Sequence, residues 1–524
     1  MNKIKYAFLG IVAVAFAGCA DLDYNEASNR DEDWTYNSPL NGVKALVYDV
    51  YAQMPSEFKD NSYGNGAMIA SATDESEFAL SFSPIHKYFN GGWTPSNPFS
   101  ITWDRSYRAI TQVHMYLERI HKIDLSDYEY DPDYQTMVQQ FEIFPYELRF
   151  LRAYFYFELV RAYGDVPLVT TTLTNEQANS VERTPAKDVF RFIINELDAV
   201  AEYLPVSYND IPGQEIGRAT RGAALALKAR VLLYQASPLF NTDNSKELWK
   251  EAAAASKVII DNAQRWGYKL SEYANLWGHD TFTNPEFIFV LGTQASNTFE
   301  QYNYPVGVEN GNSGNCPTQA LVDAYEYQFD GKTFKEKHPG DVDVTAENPY
   351  DGLDPRFALT VVKNGDLWPS NTAQQIAIET YQNGFNGAPK YGATPTGYYL
   401  KKFVDGNCIT TANNQTTTRH NWIVMRLAEV YLNYAEAMYN YYGNADEPGD
   451  FGMSANEAVN VLRNRPDIMM PEFQGNNGFE ERYMRERMVE LAFEGQRFWD
   501  VRRWKKGAES PSSTVPTCCP TPVW

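Results

Sequence analysis

The side chains best able to do chemistry in this sequence are six histidines, 67 acids and a large stock of aromatics. His86, His114, His121, His279, His338 and His420 stand far apart, with no His-x-x-x-His pair and no adjacent cysteine, so no metal constellation is spelled out. Gly-x-Ser-x-Gly elbows, phosphate-binding loops and Gly-x-Gly-x-x-Gly turns are absent as well. Asp341-Val342-Asp343 offers two carboxylates but lacks the glycine of a calcium loop and reads as a solvated acidic loop. Paired carboxylates for glycoside hydrolysis are defined by distance in the fold, which spacing along a chain this acidic does not reveal. These patterns predict no metal, no cofactor and no catalytic residues, with a glycoside hydrolase as the alternative.

Binding needs less: flat rings for stacking and a few hydrogen-bonding groups beside them. Aromatics make up 15% of the chain, with 36 Tyr and 11 Trp, and the C–H face of a sugar ring packs on such planes while its hydroxyls bond polar groups at the edge. Rings on helices are expected in the core. Those on turn-rich stretches are the candidates for ligand contact: Trp93 in Gly91-Gly92-Trp93-Thr94-Pro95-Ser96-Asn97, with Asn97 at its edge, and Phe299, Tyr302 and Tyr304 in the segment 299–315.

The elements that must carry these loops are mostly helical. Leu148, Leu151, Phe155, Leu159 and Ala162 form the buried stripe of a helix over 147–163, which Gly164-Asp165-Val166-Pro167 ends. Further helices are predicted over 186–203, 218–235, 245–262, 422–441 and 454–464, and shorter ones over 40–53 and 103–116. Small residues such as Ala223, Ala226 and Ala252 to Ala255 permit close packing, and the pairs look like tetratricopeptide-type hairpins with looser spacing. Residues 56–100 and 266–420 hold no sustained period and are read as loop-rich. Near the end, Tyr483, Met484, Met488, Leu491 and Ala492 mark a helix over 480–494 stopped by Gly495. Phe498, Trp499 and Trp504 follow, interleaved with Arg497, Arg502 and Arg503. The arginine stems are expected to lie over the rings and their heads to pair with Glu490, Glu494 and Asp500.

Lys plus Arg number 45 against 67 Asp plus Glu, a net charge of −22, which disfavours nucleic acid and anionic membrane surfaces as partners. Lys3 and Lys5 precede an apolar run from Tyr6 to Ala17, too short to span a bilayer, so residues 1–18 read as a signal peptide. Phe16-Ala17-Gly18-Cys19 resembles a bacterial lipobox, which makes Cys19 the predicted lipidation site and residues 19–39 a polar tether. Cys316 and Cys408 are isolated, Cys518-Cys519 lie in the tail, and no disulfide framework is expected.

Several strings resemble the SusD/RagB family of bacterial surface glycan-binding lipoproteins. The stretch from Glu486 to Trp504 is similar to its "ER-x-x-ELAFEG-x-R-x-x-D-x-x-RW" signature, and 147–167 is similar to "E-x-R-x-x-RA-x-x-Y-x-x-L-x-x-x-YGDVPL". Residues 218–234 resemble "RAT-x-x-AA-x-A-x-x-AR-x-x-LY", 426–437 "RLAEVYLNYAEA", and 316–332 the family's "P-T-x-x-LVDAYE … DGK" helix and turn. The resemblance implies a mostly α fold in which tetratricopeptide-like pairs, about 140–265 and 421–504, scaffold a variable loop-rich region, about 266–420, within one body over 40–504. It further implies a lipoprotein of the outer membrane, facing outward, that binds oligo- or polysaccharide and caps a TonB-dependent SusC-like transporter; a pure assembly scaffold is the other alternative. Asp21, Asp23 and Glu26 resemble the surface-export tag of such lipoproteins in Bacteroidetes-type bacteria. Residues 505–524 depart from the family's usual ending, as a frameshift, a truncated product or a short variant would, and disorder is expected there.

Overall fold

The computed structural model describes residues 32–58, 60, 66–94, 96–97, 102–209, 217–277, 283–328, 334–335 and 350–507. The expectations placed on Cys19, on Asp21 and Asp23, on the Asp330-Gly331-Lys332 turn, on Asp341-Val342-Asp343 and on the tail beyond 507 lie outside those residues.

The helices Thr102–Arg119, Tyr134–Tyr163, Ala186–Ala201, Arg221–Ala236, Lys246–Asn262, Leu427–Tyr442 and Ala455–Arg463 form a stack in which each packs on the next. That is the arrangement of a helical-repeat scaffold, in which every unit buries its apolar face on its neighbours. Tyr134–Tyr163 begins well before Glu147 because Met137, Phe141 and Phe144 continue its buried face, and from Phe150 to Val160 every side chain is buried. In Ala186–Ala201 the residues Val189, Ile193, Leu197 and Val200 supply one buried stripe. Arg221–Ala236 starts where Thr220 Oγ1 accepts from Ala223 N at 3.1 Å, and its alanines let it lie between two neighbours.

Residues 421–426 differ from expectation. They form a strand, Asn421–Arg426, paired antiparallel with Phe287–Gly292 in the register Trp422 with Leu291 and Ile423 with Val290. A buried apolar run of this length suits either state, and here a distant partner decides for strand. The helix then starts at Leu427.

The chain's end supplies the charged interior. Glu486 and Glu490 on the helix Phe479–Glu490, together with Glu494 in the turn after it, lie fully inside. Glu490 accepts from Arg426 at 2.7 Å, Arg465 at 2.7 Å and Arg356 at 2.9 Å; Glu494 pairs with Arg426 at 2.8 Å and Lys402 at 2.9 Å; Glu486 pairs with Arg356 at 2.6 Å and Arg463 at 2.5 Å. Glu286, at the start of the strand Phe287–Gly292, joins Arg426 and Arg465 at 2.7 and 2.9 Å. Of the expected partners, Asp500 does pair with Arg503, at 2.8 Å, whereas Glu490 and Glu494 bind cations from remote segments; Arg503 also reaches Glu436 at 2.5 Å, and Arg497 pairs with Asp74 at 2.6 Å. Cys316 and Cys408 are both free and buried.

Burial alone would raise the carboxyls of Glu486, Glu494 and Asp500, but the surrounding guanidinium charges outweigh it and hold all three, with Glu490, below the usual range. A depressed folded-state value contributes stability above the unfolded-state value of about 4.3, and that contribution is lost as pH falls through the folded one. Thermal melting followed from pH 7 to pH 3 should therefore show a midpoint that falls steadily below about pH 4.5. Arg426→Met, which takes one cation from each of Glu286, Glu490 and Glu494, should cost ~3–5 kcal/mol in chemical denaturation at pH 7; a cost under 1 kcal/mol would contradict this.

Candidate functional site

Trp93 stands on the turn after the short helix Pro84–Tyr88, with 39% of its surface exposed. Three hydrogen bonds shape that turn: Trp93 N donates to Lys87 O at 3.0 Å, Gly92 N to Asn90 Oδ1 at 2.9 Å, and Asn97 Nδ2 to Gly92 O at 2.9 Å. Asn97 thus braces the tryptophan loop, and among the described residues its Oδ1 has no partner. The indole is steadied from beneath by Tyr88, edge-on at 4.7 Å between centroids, and Tyr88 in turn meets Phe498 at 5.2 Å. Arg502 lies 6.0 Å from the Trp93 ring, 5.4 Å from Phe498 and 5.5 Å from Trp499. The aromatic and arginine cluster at the chain's end thereby supports one exposed indole. An immobilised ring with a polar edge can stack on a hydroxylated ring at little entropic cost.

The segment after Asn297 is built otherwise than expected. Thr298–Asn303 is a helix, opened by Ser296 Oγ accepting from Thr298 N at 3.0 Å. It turns Phe299 inward, 3% exposed, against Phe58 at 4.8 Å and His420 at 5.2 Å. Tyr304 is wholly buried, and its hydroxyl shares its one proton between the carbonyl oxygens of Asp405 at 2.6 Å and Cys408 at 2.7 Å. Neither ring offers a face to a ligand, so both are core residues and leave the candidate set. The i, i+4 pairs Phe299/Asn303 and Glu300/Tyr304 carried that signal, in a helix too short for periodicity to stand out. Tyr302 is half-buried and packs over Gly66, where any Cβ would collide with its ring. Phe82 and Phe89, 59% and 58% exposed on the loop that carries Trp93, are surface rings that the sequence did not single out.

Behind Trp499 lies a cleft of about 100 Å³, lined by Glu57, Asp60, Arg161, Trp422, Gln496 and Trp499 among others. Burial, reinforced by the nearby Asp60 charge, pushes the Glu57 carboxyl up to about 7, while Arg105 clasps Asp60 through two bonds of 2.6 Å. Two neighbouring carboxyls are what acid–base hydrolysis would use. The space, however, suits a few ordered waters, not a sugar ring.

Two family models match: one described as "SusD family" over residues 285–513, and one described as "Starch-binding associating with outer membrane" over residues 22–233. SusD-like protein P2 of Formosa agariphila is 25% identical, over 97% of this chain and 92% of its own length. Among solved structures, a SusD-like protein of Bacteroides fragilis superposes with a TM-score of 0.72 at 27% identity, covering 91% of this chain and 88% of that one. A SusD-like carbohydrate binding protein of the same species gives 0.67 at 26% identity, covering 84% and 81%.

The contrast between surface and core rings is measurable. Phe299→Ala should lower unfolding free energy by ~3–5 kcal/mol, whereas Trp93→Ala should change it by about 1 kcal/mol or less. Urea titrations of both variants check this, and an equal cost at the two sites would show that Trp93 is a packing residue.

Proposed function

The chain belongs to the SusD/RagB family, and on that premise we propose that it is a non-enzymatic surface lipoprotein that captures oligo- or polysaccharide and passes it to a TonB-dependent, SusC-like outer-membrane barrel. The observation that carries the binding role is Trp93: a partly exposed indole, steadied by Tyr88 and Arg502 and edged by Asn97, on the scaffold of a carbohydrate-binding family. Stacking beneath a sugar ring uses such a plane, and hydroxyls beyond its edge can donate to Asn97 Oδ1. Tyr302 stays a candidate contact as a half-buried ring.

Delivery to a barrel is supported by two physical arguments. A lipid on Cys19 would confine the protein to the membrane plane and raise its effective concentration at a transporter. A net charge of −22 would steer it towards basic loops and make association weaken as salt rises. Asp21 and Asp23 next to Cys19 are proposed as the address for the outer face.

On an array of plant, algal, microbial and host polysaccharides, the protein should bind without releasing product, and Trp93→Ala with Tyr302→Ala should weaken that binding about tenfold or more. Product release would favour a hydrolase, and no binding with retained barrel association would favour a scaffold. Cys19→Ser should free the protein from membranes, and Asp21→Ala with Asp23→Ala should leave it shielded from protease added to intact cells. Mild-detergent extracts at low salt should contain it bound to a large barrel protein; recovery as a monomer only would contradict delivery.

A further inference from the structure

A second set of exposed rings stands on the loop 379–397, far in sequence from Trp93. Tyr391 is 76% exposed, Phe385 51% and Tyr381 45%. Leaving apolar ring surface in water forgoes part of the stabilisation its burial would give. The loop beneath them is tightly fixed. Asn386 Nδ2 donates to Val306 O at 2.7 Å and its Oδ1 accepts from Glu379 N at 3.0 Å; Phe385 N donates to Glu379 Oε2 at 2.9 Å, and Tyr399 donates to Asn386 O. A Cβ at Gly384 or Gly387 would run into the carbonyl oxygens of Glu379 and Tyr381, so the backbone closes on itself and turns the rings outward.

Lys390 completes the group. Its Nζ donates to Phe385 O at 3.0 Å and sits 4.2 Å from the centroid of the Phe385 ring, and no carboxylate pairs with it among the described residues. The ammonium is thereby positioned with two N–H groups still free to donate. The rings are separated by polar residues, Gln382, Asn383 and Lys390, and do not merge into the continuous apolar centre of a protein interface. Isolated planes with hydrogen-bond donors between them suit a chain of hydroxylated rings.

The two ring sets share one foundation. Gly392, next to Tyr391, lies against Leu80, which belongs to a small apolar cluster with Ala67, Phe78 and Ile85. Tyr88 packs on that same cluster and carries the Trp93 ring.

We propose that Phe385, Lys390 and Tyr391 form a second carbohydrate platform, which holds a sugar unit of a chain whose other units lie on Trp93. This rests on the carbohydrate-binding reading above. Its ligand class is an oligosaccharide of several pyranose units, because a single sugar reaches one platform only.

Length dependence tests it. The full chain, Phe385→Ala/Tyr391→Ala, Lys390→Met and Trp93→Ala are titrated with ladders from dimer to octamer of α-1,4-glucan, β-1,3-glucan, β-1,4-xylan and polygalacturonate. For a ladder that binds, the unaltered protein should gain affinity in two steps as length grows. The Phe385/Tyr391 variant should keep the first step and lose the second, binding the octamer at least tenfold more weakly with an unchanged melting temperature; Lys390→Met should weaken the same step. Equal loss at every length, or none at any, would overturn the second platform while leaving the first. Loss of a co-purifying barrel with sugar affinity intact would assign the rings to a protein partner and also overturn it. If no ladder binds the unaltered protein, the carbohydrate reading itself fails, and the platform with it.

Discussion

Burying several carboxylates is tolerable only when cations reach each of them, and that requirement ties this chain together. Glu486, Glu490 and Glu494 come from one short stretch near the end, whereas Arg356, Lys402, Arg426, Arg463 and Arg465 come from four places before it. Each ion alone would cost several kcal/mol to desolvate, so the interior closes only when all segments arrive together. The network therefore specifies which loop lies against which helix. It spans the junction of the helical stack and the loop-rich region, since Arg426 ends the strand that opens into Leu427–Tyr442 and Arg356 opens the short helix Pro355–Thr360.

A scaffold locked in this way can keep large rings at its surface without collapsing around them. Most of the abundant aromatics serve packing: Tyr116, Tyr156, Tyr234, Tyr304 and Tyr399 are fully buried. Trp93, Phe385 and Tyr391 are instead propped outward by turns that hydrogen bonds hold in place. Rigid loops of this kind pay the entropy of ordering during folding, which leaves less to lose when a ligand binds. The position of Arg502 among Trp93, Phe498 and Trp499 joins the two levels, because the block that fills the interior with charge also underpins an exposed ring.

The sequence revealed what depended on local spacing. Ala186–Ala201, Arg221–Ala236 and Lys246–Asn262 lie close to where periodicity and small residues place them, and the ordered family strings agree with the matches to SusD models. Asn421–Arg426 reads as helix in the sequence because its true state depends on Phe287–Gly292, distant in the chain. Phe299 and Tyr304 read as loop residues because a helix of six residues has no visible period and the segment's composition is that of a loop. Tyr381, Phe385 and Tyr391 were not singled out among many aromatics in a turn-rich region; only the closure of the loop on Gly384 and Gly387 shows that they face out. The partners of Glu490 and Glu494 were likewise hidden, since charge pairing across the fold leaves no mark in spacing.

On the proposed reading, a fixed surface ring and not an enclosed pocket receives the sugar. A crystal structure of the protein with the oligosaccharide that binds it most tightly tests this directly. The expected result is a pyranose ring stacked on Trp93, with a hydroxyl within hydrogen-bonding distance of Asn97. A sugar seated in the cleft beside Glu57 and Asp60, with Trp93 uncovered, would contradict it.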